Sequence, residues 1–151
     1  MRYLLVTILV LISIPAVALN KADTFRFNSG GAYHIEGYGA WMLTFGRNGR
    51  FLAENNTRGK ITKCPEMRLS SNDNLKIWEL IDSIHPERIV SSKRNGVPDE
   101  VEMLFQFIKG NEMGEYKVWV GDAVENEKIN EFIDLCSKMV NDYCRKEAIL
   151  R

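Results

Sequence analysis

Among 151 residues, the side chains best suited to bond-making or metal chemistry are two histidines, His34 and His85, and three cysteines, Cys64, Cys136 and Cys144. Neither histidine stands at a zinc-binding spacing or beside a cysteine pair, so their pattern indicates no metal site. The chain has no Gly-x-Ser-x-Gly elbow, phosphate-binding loop, calcium loop or dinucleotide fingerprint, so the sequence points to no catalytic residue and no cofactor. A thiol–imidazole pair would need an accessible thiolate, yet Cys136 shares an apolar stripe with Ile129, Phe132, Ile133, Met139 and Val140, where a thiol is inert.

The cysteines suit an oxidising compartment better than a catalytic one. Cys136 and Cys144 are eight residues apart on an expected helix, about 12 Å along its axis, whereas a disulfide needs Cα atoms within about 7 Å. Cys144 lies at the end of that helix and off the core stripe, which favours Cys64–Cys144 with Cys136 free. Chain entropy alone leaves Cys64–Cys136 open, since both loops are long and either closure contributes roughly 4 kcal/mol.

The segment Ser29–Trp41 offers a different chemistry. Tyr33, His34, Tyr38 and Trp41 stand there among Gly30, Gly31, Gly37 and Gly39, a mixture that supplies large contact area at low entropic cost. Tyr33, His34, Glu36, Tyr38 and Trp41 are therefore the candidate binding residues, with Arg47 in the following turn as a rim. The competing expectation is that Tyr33, Ile35 and Trp41 alternate into the core while the glycines make turns or a bulge.

These side chains need a frame. Residues 1–18 have the layout of a secretory signal peptide: Arg2, an apolar run from Leu4 to Ile14, and the small residues Ala16 and Ala18 at the expected cleavage site. That run is shorter than the ~20 residues that span a bilayer, so no stable anchor is expected after cleavage. Residues 19–151 are expected to form one exported domain, periplasmic or secreted, of formal charge −1. Such a balance does not attract nucleic acid, and the basic strip Arg58, Lys60, Lys63 and Arg68 is offset by Glu54 and Glu66. Asn55-Asn56-Thr57 is a formal glycosylation acceptor that matters only in a eukaryotic host.

A short strand is expected over Thr24–Asn28, then a hairpin through Gly46-Arg47-Asn48-Gly49 and an extended piece from Arg58 to Met67 bent at Pro65. Ser70 and Asp73 open a helix over about Ser71–His85, which Pro86 stops. A polar loop over Ser91–Pro98 leads to a second hairpin through Gly110–Gly114, and a helix runs from about Glu125 to Cys144. The expected class is α+β: an antiparallel sheet of four to five strands with two helices packed on one face, in hairpin–helix–hairpin–helix order.

Ser29-Gly30-Gly31 with the Gly-flanked strand after it, the Leu69-Ser70 helix start with Leu80-Ile81-Asp82, and Val118-Trp119-Val120-Gly121-Asp122 before a helix form a succession that resembles emfourin-type domains, small bacterial inhibitors of thermolysin-like metalloproteases. It is also similar to uncharacterised exported α+β proteins. The resemblance implies a non-enzymatic inhibitor or immunity-type protein whose partner is a protease or toxin. The alternative is a binder of a small ligand or envelope component. Oligomeric state is not legible at this level.

Overall fold

A computed structural model describes residues 22–30, 40–90, 95, 100–146, 148 and 150. Residues 1–18, the expected signal peptide, and most of the Gly/aromatic segment and of the polar loop before the second hairpin lie outside the described residues. The described chain is α+β with one antiparallel sheet. Its strands are β1 (Thr24–Asn28), β2 (Ala40–Gly46), β3 (Arg50–Thr57), β4 (Lys60–Lys63), β5 (Met67–Arg68), β6 (Glu102–Lys109) and β7 (Glu112–Trp119). The helices are α1 (Ser71–Ser83), α2 (Val120–Glu125) and α3 (Glu127–Cys144), with a 3-10 turn at Pro86–Arg88.

The sheet runs β4-β3-β2-β1-β6-β7, with β5 pairing β3 beyond the end of β4. Seven strands thus replace the four to five expected. The surplus arises because the piece bent at Pro65 gives two short strands, β4 and β5, that pair with successive stretches of β3. The third helix arises at Asn126, an extended residue that ends α2 and caps α3 by accepting from the Ile129 amide at 3.1 Å.

Alternation decides which face is covered. Phe25, Phe27, Leu43, Phe45, Phe51, Ala53, Met103, Phe105 and Val118 are buried on one face, while Arg26, Met42, Glu115 and Lys117 stand on the other. Ile77, Trp78 and Ile81 of α1 and Ile129, Phe132, Ile133, Cys136 and Val140 of α3 complete the same core. Phe132 joins the layers: its ring meets Phe25 at 5.6 Å and Phe27 at 5.1 Å between centroids, both edge-on.

The helices run so that the start of α1 meets the end of α3. Ser70 caps α1 through its Oγ, which accepts from the Asp73 amide at 3.1 Å. Tyr143 on α3 donates its hydroxyl to Asp73 Oδ2 at 2.7 Å and accepts from the Ser70 amide at 2.9 Å. One residue on, Cys144 is bonded to Cys64 in the link between β4 and β5, with Cα atoms 5.6 Å apart. The pairing favoured from helix geometry is the one present, and Cys136 is free and buried.

Candidate functional site

Because β1 and β2 are adjacent and antiparallel, residues 29–39 join neighbouring strands that a two-residue turn could have joined. The base of this connection is closed tightly. The Ser29 amide donates to the Trp41 carbonyl at 3.0 Å, and the Trp41 amide donates to Ser29 Oγ at 3.0 Å. Ser29 is the buried polar residue of the described core, and both bonds satisfy groups that would otherwise be costly there.

Gly30 fixes the next position. Its φ of +73° is open to glycine, and a Cβ there would lie 2.3 Å from Val101 Cγ1 and 2.4 Å from the Glu102 carbonyl oxygen. The connection therefore leaves the sheet pressed against the start of β6. Asn28 Oδ1 accepts from the Gly30 amide at 3.0 Å and steadies the same turn.

Of the candidate binding residues, Tyr33, His34, Glu36 and Tyr38 lie outside the described residues. Trp41 is 4% exposed and belongs to the core, as the competing expectation had it; its ring is not offered to a partner. The reason is register: Trp41 shares the parity of Leu43 and Phe45, whose side chains face the helices.

Arg47 is placed apart from the others. It follows Gly46, at the end of β2 opposite Ala40, about 20 Å from the stem at ordinary strand rise. There it fastens the hairpin turn to α1. Its Nε donates to the Ala22 carbonyl and its Nη2 to Asp82 Oδ1, each at 2.6 Å, and the guanidinium lies 4.2 Å from the Trp78 ring centroid. Asn74 Nδ2 donates to the Arg47 carbonyl and Trp78 Nε1 to that of Gly46, at 3.0 and 3.3 Å.

A concave site exists elsewhere. The 3-10 turn and the α2–α3 junction enclose a cleft of about 450 Å³ lined by Ser83, His85, Arg88, Ile89, Val90, Asp122, Glu125, Asn126 and Lys128. Its size is within the range of small-molecule sites. His85 Nδ1 lies 3.1 Å from Glu87 Oε1, and Arg88 Nε lies 3.8 Å from the same oxygen. Lys128 pairs with Glu131 at 2.8 Å, which raises the ammonium above its ordinary value. Of the described residues of the Gly/aromatic segment, none lines this cleft. Sequence reasoning missed it because its walls come from the end of α1, the 3-10 turn, α2 and α3, and its one cue was a histidine directly before a helix-stopping proline.

Two further groups have shifted protonation. Hydrogen bonds from Tyr143, and secondarily Ser70, hold Asp73 below the usual carboxylate range. Burial pushes the Cys136 thiol well up, which keeps it protonated and unreactive at neutral pH. Among the described residues no group of three or more His, Cys, Asp or Glu side chains is arranged to hold a metal ion. No described helix is long and apolar enough to cross a membrane. No protein-family model matches the chain, and no curated protein matches it.

Proposed function

We propose that this chain is an exported, non-enzymatic binding protein that engages a protease or toxin through the Gly/aromatic connection between β1 and β2. The observation that carries the reading is the stem. An eleven-residue connection bearing Tyr33, His34, Glu36 and Tyr38 leaves the middle of a sheet from a base held by Ser29, Gly30 and Trp41. Long connections on rigid bases are where binding function concentrates, and a fixed base lowers the entropy cost of binding through such a connection. The disulfide Cys64–Cys144 suits an oxidising destination and, with the leader-like residues 1–18, supports export. The resemblance to emfourin-type domains supports a metalloprotease as the first partner to assay.

The test uses the chain from Leu19 as bait in the envelope and secreted fractions of the producing organism, alongside inhibition of a thermolysin-like metalloprotease. Capture of one protease or toxin is expected, and Tyr33→Ala with Tyr38→Ala should abolish it while leaving the melting temperature nearly unchanged. A large loss of stability would assign these rings to the core and remove the basis of the reading.

The cleft beside His85 favours a second reading, a binder of a small ligand or envelope component. Its mixed lining of His85, Arg88 and Lys128 with Asp122 and Glu125, beside apolar Ile89 and Val90, suits a compact polar molecule carrying both signs of charge. A ligand-dependent rise in melting temperature that His85→Ala or Arg88→Ala removes, with no protein captured, would favour this alternative.

A further inference from the structure

The sheet face turned away from α1 and α3 is open near its centre: Arg26 is exposed there, and beside it Met42 is 44% exposed. The strand register lays this face out in rows. One row runs Lys63, Glu54, Met42, Asn28, Leu104 and Lys117, and the next runs Leu52, Thr44, Arg26, Gln106 and Glu115. Arg26 thus stands on β1, an inner strand with β2 and β3 on one side and β6 and β7 on the other.

The other charges in these rows are matched. Lys63 Nζ lies 2.7 Å from Glu54 Oε1, Lys117 Nζ lies 3.2 Å from Glu102 Oε2, and Glu115 Oε2 accepts from Gln106 Nε2 at 2.8 Å. Arg26 is different. Its row neighbours Thr44 and Gln106 are neutral, its diagonal neighbours Met42 and Leu104 are apolar, and among the described residues no carboxylate pairs with it. An unmatched guanidinium amid apolar side chains, with matched charges toward the margins, has the composition of an interface centre and its rim.

We propose that the protein engaged by the Gly/aromatic connection also covers this face and brings a carboxylate to Arg26, between apolar side chains that pack on Met42 and Leu104. The inference rests on the reading of that connection as the contact surface and names the partner's chemistry. Two observations carry it. The first is continuity: Asn28 and Met42 adjoin the stem residues Ser29 and Trp41, and Arg26 stands three residues before Ser29, roughly 10 Å at strand rise. The second is charge. A partner that covered Arg26 with apolar groups alone would strip water from a cation and return nothing, so a fitting surface must supply an acid. A protein suits the site better than an anionic bilayer, which is drawn by clusters of cations and not by one.

The test takes the protein captured by the oxidised wild-type chain from Leu19, purifies it and titrates it against variants. Arg26→Glu should weaken binding by about tenfold or more and Arg26→Gln by less, while Lys63→Ala, at the margin, should change it by less than about threefold. Both Arg26 variants should melt with the wild type, because the side chain is exposed. Reversing one acidic residue of the partner to arginine should restore its affinity for Arg26→Glu. A partner lost with Tyr33→Ala and Tyr38→Ala but bound equally well by both Arg26 variants overturns this inference and leaves the reading it rests on; a wild-type chain that captures no protein overturns both. Binding to phosphatidylserine vesicles that Arg26→Glu removes, with no protein captured, would assign the face to a lipid surface and overturn the inference as well.

Discussion

Where α1 begins and α3 ends, Cys64–Cys144 and the Ser70–Asp73–Tyr143 bonds join the two helices to each other and to the β4–β5 link. Where α1 ends and α3 begins, the 3-10 turn faces the α2–α3 junction across an open cleft. There the ion pairs His85–Glu87, Arg88–Glu87 and Lys128–Glu131 each stay within one element. The first flank is held by a covalent bond and by a hydroxyl bonded to both the cap and its carboxylate; the second has exposed pairs of the kind worth little in water. The difference teaches that one pair of helices can be fastened covalently at one end and border an open cleft at the other over one shared core. It also separates residues that hold the molecule together from residues left over for contact.

The sharpest way to break this contrast is to remove the covalent bond. Replacing Cys64 and Cys144 together by serine should lower stability by about 4 kcal/mol, read as a shifted urea midpoint, because an 80-residue separation is then unconstrained in the unfolded chain. A loss below about 1 kcal/mol would mean that the packing around Tyr143 already holds this flank alone. A smaller effect is expected from Tyr143→Phe, about 0.5–1 kcal/mol at neutral pH for the lost hydroxyl bonds, with the partial exposure of the site allowed for. Its pH dependence carries a sign. Asp73 titrates lower in the folded chain, so its contribution is present above the unfolded carboxylate value of about 4 and is lost as pH falls through the folded one. The variant should therefore differ from wild type at pH 7 and converge with it in acid. The smallest effect belongs to the other flank: His85→Ala should change stability by no more than about 0.5 kcal/mol. A loss matching that of Tyr143→Phe would show the cleft to be structural and would dissolve the comparison.

Much of this frame was legible in the residues. Hydrophobic alternation gave the strands of both hairpins, and the three-and-four spacing of Ile129, Phe132, Ile133, Cys136 and Val140 gave α3 its buried stripe. That stripe also favoured Cys136 as the unpaired cysteine, with Cys64–Cys136 left open, and Cys64–Cys144 is the pairing present. The pairing of β1 with β6 was not legible, since residues so far apart leave no local pattern. Ser29 was invisible for the same reason: its hydroxyl matters through Trp41, twelve residues away. The separation of Arg47 from the Gly/aromatic stem could have been foreseen, because a seven-residue strand between them already sets their distance.

The place of β1 in the sheet has a consequence for the order of folding. One side of this strand is completed by β2 within a few tens of residues, but the other side awaits β6, with Thr24 paired to Ile108. A chain emerging N-terminus first therefore carries a half-satisfied central strand until its second half arrives, and Cys64 waits longer still for Cys144. Such a topology delays commitment to the native state, which keeps the polypeptide threadable during synthesis and leaves the apolar face of β1 in need of protection until the sheet closes.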